Sequence, residues 1–222
     1  MPARLRRLLL AVPLLLALLG FAGPASSAAA TEFYAHTYFG TAYERQIDNR
    51  TCVAASTAMM MNILHGRDLN LNQMTILRYA QKRDALNDAV QRGSDPLGWA
   101  VAATHFSQNT RRPTTYQYET FGTETNALRR AAEQIARYGK AVGLLVQSGG
   151  HAVVMTGFRA TANPNKGPGY ELIGIYYSDP LGLKNRYVSA ANSPLTRYLQ
   201  LDATAKYDEA WYLRYIIISP QN

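Results

Sequence analysis

Between Thr51 and Leu64 the chain offers almost no polar face. Val53, Ala54, Ala55, Met59, Met60, Met61, Ile63 and Leu64 fall all round a helical wheel. A helix that is apolar on every side has to be covered on every side. The rest of the chain must therefore supply layers of protein around residues 51–64. A chain of 222 residues is long enough for that, as one domain or at most two small ones. Its 47% hydrophobic and 10% aromatic content excludes a disordered polymer.

The flanking sequence divides by period. A second helix is expected from Leu71 to Arg83. Asp95-Pro96 forms an N-cap and first-turn pair for a third, running toward Phe106. Residues 115–121 alternate as a strand. Leu128, Ala131, Ala132 and Ile135 recur at helical spacing before the stop at Gly139. From Ala141 the pattern turns to strands: 141–147, a turn at Ser148-Gly149-Gly150, a returning strand 152–158, a Pro/Gly-rich loop at 161–169, a strand 170–178 closed by Asp179-Pro180, and a last strand 211–219. Residues 31–50 are expected to be irregular, with an aromatic cluster of Phe33, Tyr34, Tyr38, Phe39 and Tyr43. Helices first and an antiparallel sheet afterwards predict an α+β fold with a helical half packed on a sheet half.

The N-terminus reads as an export leader. Arg4, Arg6 and Arg7 precede an apolar run from Leu8 to Phe21, and small residues lead to Ala28-Ala29-Ala30. This predicts a signal peptide over residues 1–30 and one mature domain over 31–222, secreted and free of the membrane after cleavage. The apolar run is short for a spanning helix. Without the three leader arginines, Lys+Arg falls from 23 to 20 against 15 acidic residues, so the net charge drops from +8 to +5. The remaining cations are scattered, and no nucleic-acid partner is expected. Nothing in the chain calls for an oligomer, and a monomer is expected.

There is one cysteine, Cys52, which excludes an internal disulfide framework and a cysteine-based zinc cluster. In an exported chain an unpaired thiol needs a reason. Cys52 sits where the buried helix begins, with Thr51 as the expected N-cap, and the N–H groups and dipole of a helix start favour a thiolate. A nucleophilic thiol needs a base. Of His36, His65, His105 and His151, only His151 opens a strong apolar strand behind two glycines. Asp179, at the end of the following strand, is placed to accept from its ring. Gln46, six residues before Cys52, can offer an amide to an oxyanion together with the Cys52 N–H.

The order Gln–Cys–His–Asp on these elements resembles the papain-like cysteine peptidases, and more closely the secreted C39-like peptidases. The resemblance is carried by Gln46 to Ser56, by Gly149-Gly150-His151 through Phe158, and by Tyr176 through Pro180. It implies a papain-like fold and a cysteine peptidase acting on peptide or protein substrates without cofactor or metal. It also implies a site of Cys52, His151, Asp179 and Gln46. Val53 follows the nucleophile where the family often has Gly, and the interval from His151 to Asp179 is long, with the 161–169 loop expected to absorb the excess. Alternatives are a cell-wall amidopeptidase, a transglutaminase-like acyl transferase, and a silent papain-fold binding module presenting its 15 Tyr. Residues 31–45 are a candidate pro-segment over the cleft.

Overall fold

A computed structural model of the chain describes residues 32–85, 93–200 and 208–222. The leader assigned to residues 1–30 lies outside the described residues.

The apolar run forms α1 (Cys52–His65), in which every residue from Cys52 to Leu64 is buried. It ends at Gly66, whose left-handed backbone (φ 81°) returns an N–H to the Asn62 carbonyl at 2.8 Å. The Ser56, Thr57 and Asn62 side chains are engaged, Thr57 donating to the Val53 carbonyl at 2.8 Å. Asn62 donates to the Glu44 carboxylate at 3.0 Å and accepts from the Leu69 N–H at 2.9 Å, and Ser56 donates to the Ala152 carbonyl at 3.1 Å. α2 (Gln73–Gln81), α3 (Pro96–Ser107) and α4 (Glu124–Tyr138) follow. Asp95 caps α3 by accepting from the Gly98 N–H, and Thr123 caps α4.

Seven strands form one antiparallel sheet. They are β1 (Phe33–His36), β2 (Tyr116–Phe121), β3 (Val142–Val146), β4 (His151–Ala160), β5 (Leu172–Asp179), β6 (Leu183–Ser189) and β7 (Tyr215–Pro220), in the order β2-β7-β3-β4-β5-β6. β1 joins the long strand β4 beyond the end of β3, pairing Phe33 with Ala160 and His36 with Gly157. Both faces of the sheet are covered. Ala152, Val154, Ile216 and Ile218 pack toward α1 and α3, whereas Val153, Met155 and Ile217 pack toward α4. This is why β3, β4 and β7 read as unbroken apolar runs rather than alternating ones. Each fully buried Leu, Ile or Met is worth about 1.5–3 kcal/mol of transfer free energy, so α1 and the three central strands dominate the stability of the domain.

The α+β architecture is as expected, and four local expectations are corrected. Residues 31–50 are not all irregular, because β1 is a strand of the sheet. Ala42 is fully buried in the core, so the 33–45 stretch is built into the fold rather than laid over it. Residues 183–189 form an unforeseen strand, for which exposed Leu183, Lys184 and Arg186 gave no apolar pattern. Trp211 belongs to a single helical turn (Asp208–Trp211), and the last strand starts only at Tyr215. The Thr51 side chain does not cap α1. Its hydroxyl turns back to accept from the Ile47 and Asp48 N–H groups at 3.1 and 3.2 Å and to donate to the Asp48 carbonyl at 3.1 Å.

Candidate active site

The antiparallel pairing of β4 and β5 brings the first residue of one beside the last residue of the other. His151 and Asp179 thus meet at one end of the sheet, joined by Nε2 and Oδ1 at 2.7 Å. The His151 side chain is 5% exposed and that of Asp179 15%. The long interval between them is taken up by the 161–171 connection, which contains a short turn at Pro164–Lys166. On the other side, α1 is pinned to β4 by the Ser56–Ala152 bond. Ser56 lies one turn after Cys52 on the same helix face. That bond sets the N-terminus of α1, and with it Cys52, against the start of β4. The Cys52 thiol lies near enough to the His151 ring to act on its charge. Since Nε2 is committed to Asp179, Nδ1 is the ring nitrogen left for a further partner.

The electrostatics of the pair are asymmetric. Burial disfavours the imidazolium of His151. The hydrogen bond to Asp179 and the nearby Cys52 outweigh it and raise the ring to about 9. Burial also acts against the Asp179 carboxylate, yet its bonds to His151 and to the Leu181 N–H at 2.8 Å hold it below the usual carboxylate range. The result is a buried cation–anion pair next to a thiol, which is the charge state needed to keep a proton on imidazole while sulfur attacks.

Gln46 lies on the loop that laces this corner together. Its N–H donates to the Pro180 carbonyl at 3.2 Å, and the nearby Tyr43 hydroxyl donates to the Asp179 carbonyl at 3.1 Å. Its side-chain Nε2 donates to the Asp48 carbonyl at 2.7 Å, which leaves the second N–H of the amide for another acceptor. Val53, where the family often has Gly, is 2% exposed and belongs to the α1 core.

All four sequence-predicted residues therefore lie on connected elements at this corner. The other histidines lie apart: His36 bonds Asn185 at 2.7 Å, His105 stacks on Tyr79, and His65 ends α1. The turn before β4 accounts for the first of the two glycines that precede His151. Gly149 has φ 89°, and a Cβ there would lie 2.4 Å from the Tyr198 ring. Sequence reasoning missed Gln73, a buried polar residue whose partners lie in the Gln46 loop. A Gln at a helix start carries no signal for contacts made so far away along the chain. Among the described residues no group of three or more His, Cys, Asp or Glu is placed to hold a metal ion. No described helix is long and apolar enough to cross a membrane.

No curated protein matches the chain. A family model does match, over residues 39–206, and its description is Peptidase_C39 like family. The matched span is well over half of the sequence and takes in Gln46, Cys52, His151 and Asp179. With a helix-borne thiol set against an antiparallel sheet as in papain-like peptidases, the chain belongs to the C39-like family of cysteine peptidases.

Proposed function

We propose that the protein is an exported cysteine peptidase that cleaves peptide bonds of peptide or protein substrates, with Cys52 as nucleophile. The single observation that supports this most is the buried His151–Asp179 pair, 2.7 Å apart, at the end of the sheet against which α1 is pinned. In the proposed reaction His151 holds the thiol proton as an imidazolium. The Cys52 thiolate attacks the scissile carbonyl carbon, and the carbonyl electrons move onto oxygen. The Cys52 backbone N–H and the Gln46 amide donate to that oxyanion. Collapse breaks the C–N bond, and His151 gives its proton to the departing amine, leaving a thioester on Cys52. Water then attacks the thioester while neutral His151 takes its proton. Collapse of this second intermediate releases the acid and restores the thiolate–imidazolium pair. Asp179 accepts from Nε2–H throughout and keeps Nδ1 turned to sulfur. Export is part of the proposal and rests on the leader pattern at Arg4–Ala30.

The test is Cys52→Ala. Hydrolysis of casein-derived peptides and labelling by iodoacetamide are both expected to vanish, with the circular dichroism spectrum unchanged. Retained hydrolysis would sink the proposal. Cleavage of peptidoglycan stem peptides instead of casein, or acyl transfer to an added amine in preference to water, would reassign the same thiol to a different hydrolase or transferase class.

A further inference from the structure

Three of the four proposed catalytic residues are held by regular structure: Cys52 by α1, His151 by β4 and Asp179 by β5. Gln46 is not. It sits in an irregular loop, and the loop is fixed from outside by Gln73. Gln73 is the first residue of α2 and is 7% exposed. Its Nε2 donates to the Arg45 carbonyl at 2.7 Å, and its Oε1 accepts from the Ile47 N–H at 3.2 Å. Those two groups belong to the two peptide planes that meet at the Gln46 Cα. Because the peptide unit is planar, fixing both planes fixes φ and ψ of the residue between them. The Gln46 N–H, bonded to the Pro180 carbonyl, secures the first plane a second time. The Thr51 hydroxyl also accepts from the Ile47 N–H and secures the second. α2 itself does not need this side chain, since Asn72 caps the helix by accepting from the Thr75 N–H at 3.0 Å.

We infer that Gln73 is a positioning residue for the oxyanion site: it clamps the Gln46 backbone on both sides so that the Gln46 amide meets the developing oxyanion. This rests on the catalytic reading proposed above. Oxyanion donors act only within a narrow range of distance, and a misplacement of about 1 Å costs about 100-fold in rate.

Gln73→Met keeps the volume and removes both hydrogen bonds. Its expected effect is a fall in kcat of about 10- to 100-fold with KM little changed. The rate of Cys52 alkylation by iodoacetamide should stay at the wild-type value, because that displacement develops no oxyanion. Gln73→Glu keeps the acceptor for the Ile47 N–H and loses the donor, and is expected to fall between the two. It carries the same test if the Met variant does not fold. In Gln46→Ala, adding Gln73→Met should cost nothing further. If Gln46→Ala slows turnover while Gln73→Met and Gln73→Glu do not, the clamp is wrong and the oxyanion reading survives. If Gln46→Ala leaves kcat unchanged, the oxyanion reading itself fails and the clamp with it. If alkylation slows in step with turnover, or the double variant loses the product of the two single effects, Gln73 is a general structural support and the inference is overturned.

Discussion

Asp-Pro occurs at two places in this chain, and the two aspartates do the same local work. Asp95 accepts from the Gly98 N–H at 2.8 Å at the start of α3, and Asp179 accepts from the Leu181 N–H at 2.8 Å at the end of β5. Each thereby satisfies a backbone donor where an element starts or stops. The second partner separates them. Asp179 faces the His151 ring across the β4–β5 pairing. Asp95 faces another carboxyl, Asp84, whose Oδ1 accepts from the Asp95 N–H at 3.1 Å and from the Ser94 hydroxyl at 2.6 Å. Burial, then the Asp95 charge, raises Asp84 to about 7. One Asp-Pro sits in a buried cation–anion pair at the proposed active site, and the other belongs to a carboxyl cluster that closes a helix start. The dipeptide does not decide the role; the element lying across from it does.

The most damaging challenge to that contrast is to remove each carboxylate in turn. On the proposed mechanism Asp179→Ala lowers kcat/KM by about 100-fold or more, while Asp95→Ala leaves the kcat/KM of the folded protein at the wild-type level. Steady-state assays at matched folded concentration decide it, and a comparable catalytic loss in both variants would erase the distinction. The pH profile sharpens the same point. With His151 at about 9, the alkaline limb of kcat/KM is expected near pH 9, where the imidazolium is lost. Asp179→Asn removes the anion, leaves burial opposing the charge, and should move that limb to lower pH. An unmoved limb would detach Asp179 from the titration.

Stability should respond in the opposite order. Asp95→Ala leaves the Gly98 and Ala85 N–H groups without their acceptor and should cost about 1–3 kcal/mol in urea unfolding. The opposite sign belongs to Asp84→Asn. A carboxyl whose folded-state value is raised from 3.8 to about 7 contributes its stability below pH 4 and loses it as pH rises through 7. The amide keeps an oxygen for Ser94 and the Asp95 N–H without the charge. This variant should therefore be more stable than wild type at pH 8 and near parity at pH 4. Melting temperatures at the two pH values check this. Gly98 marks how tightly the cluster is built, because a Cβ there would fall 1.8 Å from the Asp84 Oδ1.

The candidate site was legible in the sequence wherever a residue's place follows from the element that carries it. Cys52 at the start of an all-apolar helix, His151 opening a buried strand and Asp179 closing the next are positions that period and punctuation expose. The carboxyl cluster was half legible: Asp95 reads as a helix cap, but nothing local links it to Asp84. Spacing to Cys52 points to Gln46 as a candidate, but nothing local points to Gln73, whose side chain bonds backbone atoms of a loop some 26 residues away. Thr51 shows the limit of local rules. It has the right side chain for an N-cap, yet the neighbouring loop offers its hydroxyl three partners and takes it. β1 and β6 escaped for a related reason, since both lie beside strands that already carry the apolar pattern and contribute mostly half-exposed or polar residues themselves.

The bond from Ser56 to the Ala152 carbonyl has a consequence for the order of assembly. It ties a helix near the beginning of the domain to a strand begun nearly a hundred residues later, and contacts so distant along a chain form late and slowly. The thiol on α1 meets its imidazole only after that closure. A chain still folding carries a cysteine without a base, so the proposed peptidase is inert toward itself and its neighbours until its topology is complete. The growth of iodoacetamide reactivity during refolding would then serve as a clock for the docking of helix on sheet.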